Sequence, residues 1–221
     1  MEMKAIDNLI YLITGKTIKK SIRKTLSGRL PQNTVSKLPD EIRSTYEQRL
    51  ENLDRKETLG AALVARFSLL TLLFYERLIA ENIDKCEAIN ITSEITWVLY
   101  EKLTGMFWIF TRLFSKKPIE RVKKAIVFTI KHFPYNSPGY EMEILKSNEN
   151  EIAYNVYKCP AAEFFKVHQL SELCAETWCD LDYALADKWG VKLERDKTIA
   201  KGDGLCTFRF MAKNAGSLSG D

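Results

Sequence analysis

Through the first 135 residues, apolar side chains recur every three or four positions, the spacing that lines up one face of a helix. The basic stretch 16–29, "KTIKKSIRKTLSGR", carries Ile18, Ile22 and Leu26 on one such face, so its charges read as the solvated side of a packed helix. Pro39 begins "PDEIRSTYEQRLENL" at a first-turn position, and Asp54 with Glu57 three residues later forms a capping box ahead of a long helix over 56–82. Thr92 or Ser93 caps the next helix, where Trp97, Tyr100, Leu103, Phe107, Phe110 and Phe114 recur at helical spacing and are expected in the core. Pro118 opens a further helix, "PIERVKKAIVFTIKHF".

After "FPYNSPGY" the period changes. Residues 140–147 and 151–158 are expected to pair as a hairpin around the polar turn "KSNEN". A helical stretch follows from Pro160 to about Trp189, broken near Gln169 to Ser171, with Ser171 as N-cap. Two strands close the pattern, "VKLERDKTI" and "LCTFRFMA", joined by "AKGDG". The order β-β-α-α-β-β predicts an α+β fold: an N-terminal helical region packed with a C-terminal antiparallel sheet of about four strands, helices on one face. The expected organisation is a helical region over 1–135, an α+β cysteine-containing region over 136–212 integrated with it into one domain, and a disordered tail over 213–221.

Composition narrows the function classes. With 221 residues and 46% apolar content the chain can bury a core, and a net charge of +4 makes no case for a nucleic-acid partner. The start lacks a basic, cleavable leader, and the longest apolar run, 60–75, contains Arg66 and falls short of the ~20 residues a membrane span needs. A cytoplasmic protein without a transmembrane segment is expected, its thiols reduced, since the cysteine count of five is odd. "TGKT" (14–17) has Ile10 where a phosphate-binding loop needs glycine. Nothing in the pattern fixes an oligomeric state.

Three of the five cysteines fall in "CPAAEFFKVHQLSELCAETWCDLD" (159–182). Cys159 precedes Pro160 at a helix start, where free N–H groups and the helix dipole lower a thiol's pKa. Cys179 and Asp182, three apart, share a helix face, and Cys206 lies in the last strand. These four residues are also the ligand set to expect if a divalent metal is bound, although C-x4-C is not the tight spacing of zinc sites; otherwise no cofactor is expected. Buried small apolar thiols are the competing reading. Of the two histidines, His132 sits at a helix end and His168 beside the cysteine cluster.

The segments "NVYKCPAAEFFKVHQLSELC", "CDLDYALA" and "RDKTIAKGDGLCTFRF" together resemble the C-terminal signature of the L-2-amino-thiazoline-4-carboxylic acid hydrolase family. The resemblance spans about 150–212 and rests on Asn155 with Cys159, Cys179 with Asp182, Thr198, Gly202, and Cys206 with Phe208, Arg209 and Phe210. Members often carry Arg-x-x-Thr or Arg-Thr-x-Thr before the Gly turn, where this chain has Arg195, Asp196, Lys197 and Thr198, and it departs at Thr207, where an acid is common. It implies a hydrolase acting on a cyclic carbon–nitrogen bond, of amidine or thiazoline type, in a small carboxylate-bearing substrate. Cys159, Cys179, Asp182 and Cys206 would then be catalytic, with Cys159 the favoured nucleophile, and Asn155, His168, Thr198 and Arg209 would bind substrate. Strand alternation complicates the last of these, because Arg209 points away from the face shared by Cys206, Phe208 and Phe210 unless a bulge intervenes. A more distant likeness to domains related to bacteriochlorophyll vinyl reductase implies instead a non-enzymatic small-ligand or metal-binding module.

Overall fold

The computed structural model describes residues 15–213, and the expected tail lies beyond them apart from Lys213. In order, the elements are helices α1 (15–26), α2 (Gln32–Leu50), α3 (Leu59–Ala80), α4 (Lys85–Thr111) and α5 (Pro118–Lys131), then strands β1 (Glu141–Ile144) and β2 (Glu151–Lys158). Helices α6 (Pro160–Val167), α7 (Ser171–Cys174) and α8 (Leu181–Lys188) follow, then strands β3 (Val191–Glu194) and β4 (Cys206–Ala212). The fold is α+β, with the expected β-β-α-α-β-β order in its C-terminal part. Two compact units divide the chain: residues up to 53 with 69–104, and 54–68 with the remainder from 105 onward. The second unit thus takes in helical residues from well before the change of texture at 135.

In the first unit, Ile22 and Leu26 are buried, as the basic stretch predicted. Helix α2 corrects the reading of Pro39, which lies inside the helix and not at its start. Pro31, already at φ −57°, precedes the first turn, and the buried stripe Val35, Leu38, Ile42 and Tyr46 runs on both sides of Pro39. Packing along that stripe offsets the missing backbone donor. Thr92 and Ser93 do not cap α4. Asp84 does, its Oδ1 accepting from the amide N–H of Cys86 at 2.8 Å, while Thr92 is buried mid-helix and donates to the Ala88 carbonyl at 2.7 Å.

In the second unit, Asp54 and Glu57 likewise give way to Thr58, whose Oγ1 accepts from the Ala61 N–H at 3.2 Å. The start of α3 presses close against the 134–139 segment: a Cβ on Gly60 would collide with the Pro134 carbonyl oxygen, and one on Gly139 with Thr58 Oγ1. Helix α3 is the long apolar helix; its 22 residues reach a mean hydropathy of 1.5, enough in length and composition for a span, but 72% of that stretch is buried within the protein. The aromatic stripe of α4 departs from expectation at its C-terminal end, where Phe110 is 62% and Phe114 54% exposed. Trp108 and Thr111 carry the inward face there instead. Arg121 of α5, itself buried, donates through Nε to Thr111 Oγ1 at 3.0 Å and lies 3.5 Å over the Trp108 ring, which stacks on Trp189.

The sheet has the order β1-β2-β4-β3, with each adjacent pair antiparallel. Tyr154 faces Phe208, Val156 faces Cys206, and Leu193 faces Phe210. These residues alternate with Asn155, Thr207 and Arg209, so one side of the sheet is apolar and helix-covered while the other is polar and largely exposed. Strand β3 ends at Glu194, earlier than its apolar pattern predicted, and residues 195–198 form a loop into a short turn at Ile199–Lys201. The expected helix break is present, with Gln169 at φ +58°; Ser171 is the first residue of α7 and makes no side-chain cap. Between α7 and α8 the chain makes one wide turn, Ala175–Cys179, in which the Asp180 N–H reaches back five residues to the Ala175 carbonyl at 2.9 Å.

Candidate active site

Four thiols converge on the helix-covered side of the sheet. Cys159 follows β2 as the N-cap of α6, Cys174 and Cys179 bracket the wide turn, and Cys206 starts β4. They lie close enough that charge on Cys179 or Cys206 raises the Cys159 thiol, and Cys206 in turn responds to Cys179. The start of α6 and the Cys-x-x-Asp segment are therefore electrostatic neighbours. Cys86, the fifth thiol, is exposed on α4 in the other unit.

The electrostatics reverse the sequence argument for Cys159. Burial pushes its thiol up to about 12, against the smaller downward pull of the Ala162 and Ala161 backbone N–H groups. The helix start lowers the pKa as anticipated, but desolvation wins. Cys206 is pushed up to about 11, again by burial, although the Ile199 N–H points at its sulfur from 3.2 Å and Arg195 is nearby. Cys174 is fully buried and raised further, first by its hydrogen bond with Cys179 and then by burial. Cys179 retains some exposed surface.

Arg195 is the residue that ties the cluster together. Its side chain is 1% exposed; Nη1 donates to Asp182 Oδ2 at 3.0 Å, and Nη2 to the Cys179 carbonyl at 2.8 Å and to Asp180 Oδ1 at 3.4 Å. The guanidinium lies 5.0 Å from the Tyr183 ring and 5.2 Å from that of Phe208, which stacks on Tyr154 at 4.8 Å. Burial alone would lower its pKa, but Asp182 and Cys179 outweigh burial and raise it, so the cation is firmly held. Its Nε–H is buried and has no partner. Two phenols, Tyr140 and Tyr154, border the same groups and are held protonated by burial, Tyr140 additionally by Cys159 and Tyr154 by Asp182.

The substrate-binding set expected from sequence separates. Arg209 is on the opposite, exposed side of the sheet, paired with Glu151 at 3.3 Å, with no bulge to turn it inward. Asn155 shares that side: its Nδ2 donates to the Tyr157 hydroxyl, which donates to Glu143 at 2.8 Å. Cys159 lies apart from Asn155, beyond a register shift in the β1–β2 pairing and at the N-cap position of α6. His168 is exposed at the far end of α6, its ring against Phe164 and its Nδ1 2.8 Å from the Phe164 carbonyl oxygen. Thr198 is buried close to the cluster, where its backbone N–H bonds to Asp203 Oδ2 at 2.7 Å and Gly202 takes the left-handed φ of +102° that closes the turn. Arg195 was the residue missed as a site member, and its signal was the Arg195-x-x-Thr198 spacing. Among the described residues no group of three or more His, Cys, Asp or Glu is arranged to hold a metal ion.

The family model described as L-2-amino-thiazoline-4-carboxylic acid hydrolase matches residues 72–210. No curated protein matches the chain. Among solved structures, the H-NOX protein from S. oneidensis in its Fe(II)NO ligation state is 13% identical, with 88% of this chain and 98% of that chain covered at a TM-score of 0.41. The Fe(II) unliganded H-NOX protein from K. algicida is 10% identical, with 92% and 98% covered at a TM-score of 0.37. Scores this low carry no argument about fold or ligand.

Proposed function

The chain belongs to the L-2-amino-thiazoline-4-carboxylic acid hydrolase family, and we propose that it hydrolyses a cyclic amidine or thiazoline in a small, carboxylate-bearing molecule, with Cys179, Asp182 and Arg195 as its working residues. One observation carries this reading: a buried arginine grips Asp182 and the Cys179 backbone together, with Cys206 nearby. Sulfur, carboxylate and cation are then within one small volume, which is what addition to an electron-poor ring carbon needs.

In the proposed reaction the Cys179 sulfur bonds to the ring amidine carbon, and its proton passes to the ring nitrogen. To leave a carbamoyl-cysteine, both nitrogens must stay on that carbon, so the bond that breaks is the ring carbon–sulfur bond and not a carbon–nitrogen bond: a nitrogen lone pair re-forms the C=N bond, and the ring sulfur leaves with the bonding pair and takes up the proton that nitrogen gives up. Water then adds across the C=N bond, with Asp182 taking its proton and passing it to the nitrogen; the carbonyl forms, and the Cys179 sulfur leaves with the bonding pair and the hydroxyl proton to regenerate the free thiol. Arg195 positions Asp182, and its unpartnered Nε–H is the donor assigned to the substrate. Tyr140 and Tyr154 supply neutral O–H groups at the margin. Cys159 is assigned a supporting role, since a thiol pushed up to about 12 is a poor nucleophile near neutral pH. The five cysteines are all unpaired, which suits a reducing, cytoplasmic setting.

The test is thiol release from 2-amino-thiazoline-4-carboxylate and ring analogues, followed with a thiol-reactive chromophore. Wild-type protein should release one thiol per ring opened, and Cys86→Ser should match it. Absence of release from every thiazoline tried would sink the reading; full activity in Cys179→Ser would remove the nucleophile from it.

A further inference from the structure

The end of α4 and the start of α5 leave an apolar surface that the catalytic reading does not use. Ile109 is 67%, Phe110 62%, Leu113 76% and Phe114 54% exposed, and Phe128 of α5 is 50% exposed. Phe128 packs against Phe107 with ring centroids 6.2 Å apart, and Lys124 reaches Phe114 both at its ring, 6.0 Å away, and at its carbonyl, 3.0 Å away. The patch is therefore continuous across the two helices. Isolated exposed apolar residues are ordinary, but four within six consecutive positions, joined to a fifth on a neighbouring helix, are not.

Its charged surroundings distinguish among occupants. Residues 109–132 contain seven bases, Arg112, Lys116, Lys117, Arg121, Lys123, Lys124 and Lys131, against one acid, Glu120. That single segment is more positive than the whole chain, whose net charge is +4. Arg121 is buried and serves the helix junction, while Arg112, Lys116, Lys117, Lys124 and Lys131 are exposed. Two copies pressed together through this face would bring like-charged rims into contact. Large aliphatic and aromatic side chains inside a basic rim match a surface with negative headgroups over an apolar interior.

We propose that this hairpin seats the protein on an anionic lipid bilayer, with Phe110, Leu113 and Phe114 entering the acyl boundary and Arg112, Lys116 and Lys117 meeting the headgroups. The experiment is co-sedimentation of the full chain with vesicles of phosphatidylcholine mixed with phosphatidylserine, and with vesicles of phosphatidylcholine alone. Binding should require the anionic lipid, weaken as salt is raised, and fall roughly tenfold or more in Lys116→Glu/Lys117→Glu and in Phe110→Asp/Leu113→Asp. Both substitutions are at exposed positions, and circular dichroism together with retained thiol release checks that each variant is folded. No binding to anionic vesicles at low salt overturns the proposal, as does equal binding to neutral ones. So does a dimer in light scattering that Leu113→Asp splits, or displacement from vesicles by a single-stranded oligonucleotide.

Discussion

The two sides of one small sheet behave as different molecules. On the helix-covered side, Tyr154, Phe208, Phe210 and Cys206 are shielded and a lone guanidinium holds a carboxylate in a 3.0 Å contact. On the other side, one residue along, Arg209 and Glu151 form a 3.3 Å pair in which the arginine is 54% exposed. Both are arginine–carboxylate pairs at the sheet, and the same interaction has opposite significance. In water it is screened and nearly worthless, whereas out of water it cannot lose one partner without stranding the other.

The sharpest way to break this comparison is Arg195→Met. It leaves Asp182 without its buried cation and should cost about 3–5 kcal/mol in a denaturant titration as well as all measurable turnover. Arg195→Lys, which cannot bridge Asp182 and the Cys179 carbonyl with one planar group, should restore much of the stability and little of the activity. Next in size, Cys179→Ser should lower turnover by roughly a hundredfold or more with stability nearly unchanged; a loss of that size in Cys159→Ser instead would return the nucleophile to the helix start.

A pH series sharpens the contrast further. The Cys159 and Cys206 thiols are raised from 9.0 to about 12 and about 11 in the folded protein. The native state therefore holds these protons more tightly than the unfolded chain does. That contribution is complete below pH 9 and is lost as pH climbs toward 11 and 12. Unfolding free energy should fall across this window, and Cys159→Ser should flatten the fall. The smallest effects belong to the exposed side, where Arg209→Gln and Asn155→Ala should each change stability by about 0.5 kcal/mol or less and leave turnover within twofold.

How much of this could be read from the chain depended on what kind of force fixed each element. The hairpin, the two later strands and the helix break were legible because Gly, Pro and polar turns punctuate them and alternation marks the faces. Alternation also gave the correct warning about Arg209. Helix starts were misread at Pro39, Asp54 and Thr92, in each case because a plausible local signal competed with a longer apolar stripe or with a better cap elsewhere in the chain. In the site, the thiols were visible by composition, but the balance between helix start and burial at Cys159 was not, because burial is set by what the rest of the chain packs around the sulfur. Arg195 was hidden because the expected strand was carried through it to Ile199, which made β3 look longer than it is. Once the strand stops at Glu194, the loop is free to turn its first side chain under the helices.

The wide turn at Ala175–Cys179 has a bearing on how this site tolerates changes in chain length. An ordinary helical turn would use one residue fewer, and each residue added to or removed from a regular helix swings everything after it by about 100°. Deleting exposed Glu176 would let α7 run into α8 as regular helix with Asp182 left in phase, while the residues inside the turn, Cys179 among them, shift relative to Arg195. Among relatives, a one-residue gap at this point is therefore a mark by which chains that have kept the fold and given up the chemistry can be told from those that have kept both.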